Sequence, residues 1–382
     1  MSNPRIMIVA GEASGDMHGA NLAKALKRLS PEASICGMGG TAMAEAGVEI
    51  LYDAARMAVV GIIEVLSHYS DIRAARQTLL TALRDHRPDL LILIDYPGFN
   101  LMLAAQAKKL GIPIFYYISP QVWAWHASRV KKIRRLVDRM AVILPFEKKF
   151  YRQRGMAVNF VGHPLLDTVA SHLSRAEFLA RHQIPADATV VGLLPGSRKK
   201  EIANLLPVYL DAARLLADGH DELVFLLPLA PSLSRADLDA HGLADCPVQV
   251  RVIDSDRYDM MAACDAVIAA SGTVTLELAI LDIPMVVAYR TSPLTCWLAR
   301  KLVDVKYMSL VNLVADRQVV PELLQEEVTA ESLAAQLAPL LFAPKVIAAM
   351  RDGLAEVRER LGGPGASERA ARIALEIIDQ HR

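Results

Sequence analysis

The chain has 382 residues, in which 42 Lys and Arg balance 42 Asp and Glu, so its formal net charge is zero. Zero net charge gives no overall attraction to nucleic acid, and an apolar content of 53% excludes a disordered chain. At roughly 150 residues per domain, this length predicts two or three domains, each able to bury a core.

No segment is predicted to cross a membrane or to direct secretion. The longest stretch without Asp, Glu, Lys or Arg runs from Leu110 to Ser128, but it contains Pro113 and Pro120. Prolines in such a segment suit a short strand and a loop better than a spanning helix. The four cysteines lie at least 18 residues apart, which predicts reduced thiols in a cytoplasmic protein.

Short apolar segments rich in Ile and Val alternate with helical segments along most of the chain. The predicted strands are Arg5–Ala10, Asp89–Ile94, Ile112–Ile118, Met140–Leu144, Val190–Leu194, Leu223–Pro228, Val248–Ile253, Ala266–Ala269 and Met285–Tyr289. Strands that are apolar throughout predict parallel sheets with helices on both faces. We therefore expect an α/β protein with two doubly wound domains.

The polar stretch from Asp167 to Ala188 carries no strand signal and predicts a domain boundary. We expect an N-terminal Rossmann-like domain over residues 1–170 and a C-terminal one over residues 186–345. Only helical patterning remains after about Ala330, so residues 346–382 are predicted to form helices that cross back to the first domain or to a partner subunit. Tandem domains of this kind normally bind ligands at the carboxyl ends of their strands.

The first strand ends in the hexapeptide GEASGD, from Gly11 to Asp16. This is not the GxGxxG pattern of dinucleotide-binding domains, and no acidic residue follows at the spacing that would bind a nicotinamide ribose. A tight turn in which Ser14 caps the next helix would explain part of the motif. Capping does not explain Glu12 and Asp16.

Asp95 directly follows the predicted strand Asp89–Ile94, in the segment IDYPGFN. A carboxylate at the carboxyl end of a buried strand, followed by a Pro/Gly loop, is well placed to act as a general base. The alternative is a helix cap or a hydrogen bond within the loop.

Two strand-to-helix junctions in the second half predict an anion site. One is Pro195-Gly196-Ser197-Arg198, followed by two lysines; backbone N–H groups, the helix dipole and a guanidinium together suit a diphosphate. A solvated basic turn is the alternative, but cations there oppose the helix dipole. The other junction is Ser271-Gly272-Thr273, with Glu277 one turn later to bind ribose hydroxyls.

Metal-dependent chemistry is not expected. The triplet Asp254-Ser255-Asp256 matches the DxD pattern by which some enzymes bind a metal-nucleotide, but the end of a strand and a helix cap explain it better. No other acidic or histidine cluster has the spacing of metal ligands. Walker A, GxSxG and HExxH motifs are also absent, which disfavours NTPases and hydrolases.

An apolar segment from Met57 to Leu66 is followed, farther along the chain, by a basic run. The segment from Ser128 to Arg154 contains ten basic residues and only two acidic ones, Asp138 and Glu147, so its net charge is +8. Apolar residues beside a basic patch are typical of proteins that bind an anionic membrane surface. Core packing and a solvated charged face are the alternative.

Six segments together resemble those of lipid-A-disaccharide synthases, and the match extends from the first strand to about Gln325. The segments are GEASGD from Gly11, IDYPGFN from Ile94, SPQVWAW from Ser119, LPGSR from Leu194, ASGT from Ala270 with Glu277, and SLVN from Ser309.

The resemblance implies an inverting glycosyltransferase of the GT-B fold, with two Rossmann-like domains facing a central cleft. Such an enzyme transfers 2,3-diacylglucosamine from UDP-2,3-diacylglucosamine to 2,3-diacylglucosamine 1-phosphate (lipid X) in lipid A biosynthesis of Gram-negative bacteria. The products are UDP and a β(1→6) disaccharide, and no cofactor is expected. The implied partners are the cytoplasmic leaflet of the inner membrane, where the protein would be peripherally associated, and a second copy of the chain.

The resemblance also implies roles for individual residues. Asp95 would deprotonate the acceptor hydroxyl, assisted by Glu12 and Asp16, which with Ser14 would orient the sugars. The other implied contacts are Gly11 and Asn100 to substrate, Gly196, Ser197, Arg198, Ser271, Gly272, Thr273, Glu277 and Asn312 to the UDP-sugar, and Val59, Val60, Ile62, Ile63, Val65 and Leu66 to the membrane.

Two positions depart from the family pattern. The family often has a second Asp where this chain has Gly98, and often Pro where it has Val311. We therefore assign the base to Asp95. The alternatives are an enzyme similar to UDP-N-acetylglucosamine 2-epimerases, which would need no membrane segment, and a non-catalytic protein that binds a nucleotide sugar.

Overall fold

A computed structural model describes residues 3–57, 69–125, 127–291 and 306–381. The chain forms two compact units, one of Met1–Asp167 with Leu361–Arg382 and one of Thr168–Arg360. The end of the chain therefore belongs to the first unit from Leu361 onward. The sequence-based division after residue 345 differs from this, because residues 346–360 belong to the second unit.

The first unit is built on a seven-stranded parallel sheet with the order β3-β2-β1-β4-β5-β6-β7. Its strands are β1 Arg5–Ala10, β2 Ser34–Gly39, β3 Glu49–Asp53, β4 Leu90–Ile94, β5 Ile114–Tyr117, β6 Arg139–Val142 and β7 Asn159–Phe160. The sequence pattern predicted β1, β4, β5 and β6, and it missed β2, β3 and β7.

The second unit repeats this topology in a six-stranded parallel sheet with the order β10-β9-β8-β11-β12-β13. Its strands are β8 Thr189–Leu194, β9 Leu223–Pro228, β10 Val250–Ile253, β11 Ala266–Ala270, β12 Met285–Tyr289 and β13 Glu322–Leu324. The prediction of two doubly wound α/β domains is therefore confirmed.

Helices connect the strands in both units. Those of the first are α1 Ala13–Leu29, α2 Thr41–Glu45, α3 Tyr69–Asp85, α4 Pro97–Lys109, α5 Val122–Trp125, α6 Val130–Leu136 and α7 Pro145–Arg152. Those of the second are α8 Arg175–Arg181, α9 Lys199–Ala217, α10 Arg235–Leu238, α11 Arg257–Ala263, α12 Val274–Ile280, α13 Leu310–Ala315, α14 Ala330–Phe342 and α15 Pro344–Arg360. The last helix, α16 Ala366–His381, packs along α1 in the first unit.

The first sheet is buried on both faces, as its apolar strands require. Leu79 of α3 and Leu103 of α4 belong to one core cluster with Leu91 and Leu93 of β4. On the other face α1 and α16 contact β4. Side-chain burial along these strands supplies the main driving force for folding and leaves polar groups at the strand ends.

The order of strands sets the position of the candidate site. In each unit the order reverses between the two central strands, β1 and β4 in the first and β8 and β11 in the second. Ala10 is in register with Ile94, and Leu194 is in register with Ala269. The loops that follow these strands therefore lie side by side, where doubly wound sheets bind their ligands.

Within the described residues, no single helix is long and apolar enough to span a membrane. Only α14 and α15 taken together reach that length and composition, and they are bent by 94°. Three cysteines, Cys36, Cys246 and Cys264, are free thiols, and Cys296 lies outside the described ranges.

Candidate functional site

Asp95 lies in an unusual loop between β4 and α4. Asp95 and Tyr96 both have left-handed backbone conformations, with φ of 42° and 43°, and Pro97 then opens the helix. Two consecutive left-handed residues other than glycine are rare, although Asp tolerates this conformation better than most residues. The conformation turns the chain sharply away from β4 directly after its buried end.

Three hydrogen bonds hold the Asp95 peptide in this conformation. Its carbonyl oxygen accepts from the Tyr116 hydroxyl at 2.5 Å and from Asn100 Nδ2 at 2.8 Å. Its N–H donates to the carbonyl oxygen of Ile118 at 3.2 Å. Strained residues of this kind persist where surrounding contacts over-determine them, and such residues cluster at functional sites.

The Asp95 carboxyl group has a perturbed pKa. Partial burial raises the pKa of Asp95, and the neighbouring Glu12 carboxylate raises it further, to about 6, while the N–H of Tyr96 opposes the shift. A carboxylate with a pKa near the working pH is suited to accept a proton in general base catalysis. The site therefore brings together Asp95 and Glu12, as the sequence predicted for two neighbouring strand ends.

Gly11 is needed for the contact between these two loops. A Cβ atom at Gly11 would lie 2.4 Å from Cδ1 of Tyr96, so only glycine lets the Tyr96 ring pack against this backbone. The packing joins the loop that carries Glu12 to the loop that carries Asp95. The packing of the Tyr96 ring thus explains why residue 11 is glycine, without any contact between Gly11 and a substrate.

Asp16 has a different role from the catalytic one predicted. Its carboxylate accepts from the backbone N–H groups of Gly40 at 2.6 Å, Ala42 at 3.0 Å and Met43 at 3.1 Å. These contacts satisfy the free N–H groups at the start of α2. The side chain is buried there, and these hydrogen bonds explain Asp16 without a catalytic step.

The two remaining polar residues of this loop are exposed. Glu12, and not Ser14, is the N-cap residue of α1, and its side chain makes no capping hydrogen bond. The interpretation of Ser14 as the cap was therefore wrong. Glu12 and Ser14 are both exposed to solvent, and the Glu12 carboxylate lies near Asp95 and Tyr96.

Asn100 lies beneath the Asp95 loop. It is completely buried, and its Nδ2 atom donates to the carbonyl oxygens of Ile94 at 3.0 Å and of Asp95 at 2.8 Å. Both amide hydrogens are thus used within the protein. The predicted contact of Asn100 with substrate does not agree with this position, which instead supports the loop from below.

The motif SPQVWAW that follows β5 packs into the same unit. The Ser119 hydroxyl lies 2.6 Å from the Tyr151 hydroxyl, and the Trp123 ring packs edge-on against Phe146 at 5.0 Å. The buried carboxyl of Glu147 accepts from the backbone N–H groups of Ile143 and Leu144, and burial raises the pKa of Glu147 to about 7. The motif therefore has a structural explanation in this loop.

In the second unit, β8 ends in a turn that already holds a carboxylate. Gly196 has a φ of 113°, and the N–H groups of Ser197 and Arg198 donate to Glu201 Oε2 at 2.9 and 3.2 Å. The Arg198 guanidinium donates to Glu201 Oε1 at 3.0 Å. An internal anion thus occupies the donor groups that the sequence assigned to a diphosphate.

The cations of this turn are not equivalent. Arg198 is exposed apart from its pairing with Glu201, whereas Lys199 pairs with Asp237 at 2.8 Å on α10. The pairing with Lys199 holds the pKa of Asp237 well below its usual range. Arg198 is therefore the guanidinium best placed to bind an incoming anion.

The second predicted junction places the buried Glu277 in an ion pair with the half-exposed Arg257. Glu277 Oε1 accepts from Arg257 Nη2 at 2.8 Å and lies 3.3 Å from the Tyr258 hydroxyl. Burial raises the pKa of Glu277, and Arg257 opposes this shift. At the start of the same helix, the Ser271 hydroxyl donates to the carbonyl oxygen of Met308 at 2.9 Å, and Gly272 and Thr273 are exposed.

Asn312 lies in the interior and does not line a pocket. It is completely buried, its Nδ2 donates to Glu322 at 2.7 Å, and its Oδ1 accepts from Val319 and Val320. All its hydrogen-bonding groups are used to tie α13 to β13. These contacts explain Asn312 structurally, and its role in the donor pocket stays a prediction.

The acidic triplet is a helix start, as the sequence favoured. Asp256, in a left-handed conformation, is the N-cap residue of α11, and its carboxylate accepts from Arg181 at 2.9 Å. In the part of the chain that the structure describes, no three His, Cys, Asp or Glu side chains form a group able to hold a metal ion. The metal-free chemistry remains a prediction.

The basic run forms an exposed surface, which we call the basic face. Val130 and Ile133 of α6 point into the core, whereas Lys131, Lys132 and Arg135 are exposed. The other exposed basic side chains of the run are Arg129, Arg134, Lys148, Lys149, Arg152 and Arg154. The predicted membrane segment, with Val59, Val60, Ile62, Ile63, Val65 and Leu66, lies outside the described residues.

Neither acidic residue of the run neutralises the basic face. Asp138 pairs with Lys108 of α4 at 2.5 Å, and Glu147 is buried. The positive charge of these helices is therefore not balanced from within the run.

Comparison with known sequences identifies a family. A family model described as lipid-A-disaccharide synthetase matches residues 6–377. A lipid-A-disaccharide synthase of Geobacter metallireducens is 51% identical over 380 residues, covering 100% of this chain and 99% of the relative. Relatives of the same name from Nitrosococcus oceani and Coxiella burnetii are 45% and 42% identical, covering 99% of this chain and 97% and 100% of theirs.

Solved structures agree on the fold. A putative UDP-N-acetylglucosamine 2-epimerase of Listeria monocytogenes has a TM-score of 0.68 at 12% identity, covering 100% of this chain and 97% of its own. A calicheamicin glycosyltransferase has a TM-score of 0.63 at 15% identity, covering 100% and 99%. The likeness supports the predicted GT-B fold, and because epimerases and glycosyltransferases share it, the fold alone does not separate these two activities.

Proposed function

The chain belongs to the lipid-A-disaccharide synthetase family, and on that premise we propose that Asp95 is the general base of its reaction. The protein is a UDP-dependent glycosyltransferase of lipid A biosynthesis, which sets aside the epimerase and the non-catalytic alternatives. The observation that carries the proposal is the partly buried Asp95 carboxylate beside Glu12 at the end of β4.

The proposed step is a displacement with inversion. Asp95 removes the proton from the 6-hydroxyl of lipid X while that oxygen attacks the anomeric carbon of UDP-2,3-diacylglucosamine. The new glycosidic bond forms as the bond to UDP breaks, and the electron pair leaves on the diphosphate. Such inverting chemistry needs one carboxylate as base, and Asp95 carries the transferred proton afterwards.

Glu12 has two proposed tasks. Its negative charge contributes to the raised pKa of Asp95, so that the base is matched to neutral pH. It is also exposed, and with Ser14 it is available to accept hydrogen bonds from sugar hydroxyls. The proposal gives Asp16 no chemical step, since its oxygens are committed to α2.

We assign the UDP moiety to the second unit. Its diphosphate would replace Glu201 at the N–H groups of Ser197 and Arg198 and at the Arg198 guanidinium. Fixed donors of this kind stabilise the charge that develops on the leaving group, so the proposal needs no metal ion and no cofactor. Gly196, Ser271, Gly272 and Thr273 would line the same site through their backbone.

Glu277 is assigned to the ribose. Its pairing with Arg257 favours the ionised carboxylate, and a carboxylate has about four lone-pair positions, so capacity remains for ribose hydroxyls. Asn312 is not part of this assignment, because it is fully used within the protein.

We also propose peripheral association with the cytoplasmic leaflet of the inner membrane, through the basic face and the apolar segment Val59–Leu66. The exposure of the basic side chains and the absence of compensating charge in their run support this. The homodimer implied by the sequence resemblance is a further proposal, which the mass of the protein in solution tests.

Replacement of Asp95 by Asn tests the assigned base. Because the amide cannot accept the hydroxyl proton, we expect turnover of UDP-2,3-diacylglucosamine and lipid X to fall roughly 10²–10⁴-fold, with UDP binding retained. In the unmodified enzyme, turnover should fall below about pH 6, because protonated Asp95 is no longer a base. Asp85→Asn, at the exposed end of α3, is the matched control, and unchanged turnover of Asp95→Asn removes this residue from the mechanism.

Calorimetric titration with UDP tests the anion site. Arg198→Ala is expected to weaken UDP binding about tenfold or more, because a charge-assisted hydrogen bond is lost. Glu201→Gln is expected to tighten it about threefold or more, because a competing charge is removed. Arg235→Ala, an exposed residue of α10, is the control. Weaker binding by Glu201→Gln, or activity that needs Mg²⁺ after EDTA treatment, contradicts the assignment.

Sedimentation with vesicles tests the basic face. Vesicles with phosphatidylglycerol are expected to bind the protein at low salt and to release it at high salt. The double variant Lys131→Gln, Lys132→Gln should bind about tenfold more weakly, because each cation near an anionic surface adds to the attraction. The pair Arg214→Gln, Lys345→Gln on the second unit is the control, and equal loss in both pairs refutes a localised membrane face.

A further inference from the structure

We propose that Tyr116 and Asn100 are positioning residues that hold the loop of Asp95 in its left-handed conformation without touching substrate. Tyr116 reaches the loop from β5, and Asn100 reaches it from the first turn of α4. The inference rests on the proposed role of Asp95 as the base.

The conformation of the loop needs external support. Left-handed backbone is unfavourable at residues other than glycine, and it persists only where surrounding contacts compensate for it. The side chain of Tyr96 does not stabilise the left-handed conformation, because only Asn, Asp and glycine adopt it readily. Without compensating contacts, the residues after β4 would relax and move the Asp95 carboxylate.

The support converges on one peptide group. The Asp95 carbonyl oxygen accepts both the Tyr116 hydroxyl and the Asn100 amide, which uses the two lone pairs of that oxygen. The second Nδ2 hydrogen of Asn100 goes to the carbonyl oxygen of Ile94, the last residue of β4. Asn100 therefore bridges the end of the strand and the base itself.

The loop is also anchored on both sides along the sheet. On one side the Asp95 N–H donates to the carbonyl oxygen of Ile118, which is itself left-handed with a φ of 64° and whose N–H donates to the carbonyl oxygen of Ala141 in β6. On the other side the Tyr96 ring packs against Gly11 after β1. The base is thus connected to three neighbouring strands.

Burial separates this role from substrate binding. Tyr116 and Asn100 are both completely buried, so neither side chain can reach a bound sugar from its present position. The Tyr116 hydroxyl donates to the Asp95 carbonyl oxygen, and Asn100 Nδ2 donates to the carbonyl oxygens of Asp95 and Ile94. They can therefore change catalysis only through the position of Asp95.

The next residue of the same strand provides a matched control. Tyr117 is as fully buried as Tyr116, but neighbouring side chains of a strand point to opposite faces of the sheet. Among the described residues, the Tyr117 hydroxyl has no hydrogen-bond partner. Removal of each hydroxyl therefore changes the same chemical group at equal depth, and only one of the two supports Asp95.

The experiment compares Tyr116→Phe with Tyr117→Phe in the full-length protein. For Tyr116→Phe we expect kcat to fall about tenfold or more, since misplacement of a catalytic group by about 1 Å costs up to 10²-fold, with KM within about twofold. For Tyr117→Phe we expect kcat to stay within about twofold, because it removes a group without a partner. Asn100→Ala should match Tyr116→Phe and provides a second variant if one does not fold.

The pH profile separates positioning from general destabilisation. The titratable groups that face Asp95 are Glu12 from the start of α1, Tyr96 from its own loop and Tyr116 from β5. A relaxed loop would expose the Asp95 carboxyl and move it from Glu12, so the acid limb of kcat/KM should shift to lower pH. Merely lower stability would reduce Tm without moving this limb.

Two negative outcomes have different meanings. If Asp95→Asn is inactive while folded Tyr116→Phe and Asn100→Ala keep their kcat and pH profile, the positioning role is overturned and the base assignment stands. If Asp95→Asn keeps its turnover, the base assignment itself fails.

Discussion

Two carboxylates at the ends of adjacent strands repel one another, and the first unit keeps them together. β1 and β4 are neighbours at the point where the strand order reverses, so Glu12 and Asp95 follow paired positions. The buried strands fix this proximity. The hydrogen bonds from Tyr116 and Asn100 to the Asp95 carbonyl oxygen keep the loop from relaxing away from Glu12. The cost of the arrangement appears as backbone strain and as a raised pKa of Asp95, and both are features that the proposed general base would use.

The second unit uses the same topology for the opposite electrostatic purpose. Its central strand β8 ends in a glycine turn that directs backbone N–H groups and Arg198 toward a single carboxylate, Glu201. In the proposed function, one Rossmann-like sheet would carry the base for the nucleophile, and the other would carry the donors for the leaving group. The division explains why two copies of one fold carry different residues at equivalent strand ends.

The sequence predicted those features that depend on local pattern. The apolar strands β4 and β8 and the turns that follow them were predicted from their alternation with helices, and Asp95 and Arg198 were found in this way. β2 was missed because Cys36 and two glycines interrupt its apolar pattern, and β3 because it is a half-exposed strand at the sheet edge. The hydrogen bonds of Asp16, Asn100 and Asn312 within the protein were not foreseen, because a polar side chain looks the same in the sequence whether its partners are substrate or protein groups brought near by folding. Tyr116 was overlooked in an apolar strand, although a buried tyrosine hydroxyl usually has a partner.

The central claim concerns the ionisation of one side chain, and a direct titration measures it. Carbon-13 NMR of the aspartate carboxyl groups, assigned with Asp95→Asn, reports the pKa of Asp95 in the free enzyme. The account predicts a value near 6, raised by burial and by Glu12, and a lower value in Glu12→Gln. A pKa at or below the ordinary 3.8, unchanged by Glu12→Gln, would contradict the account.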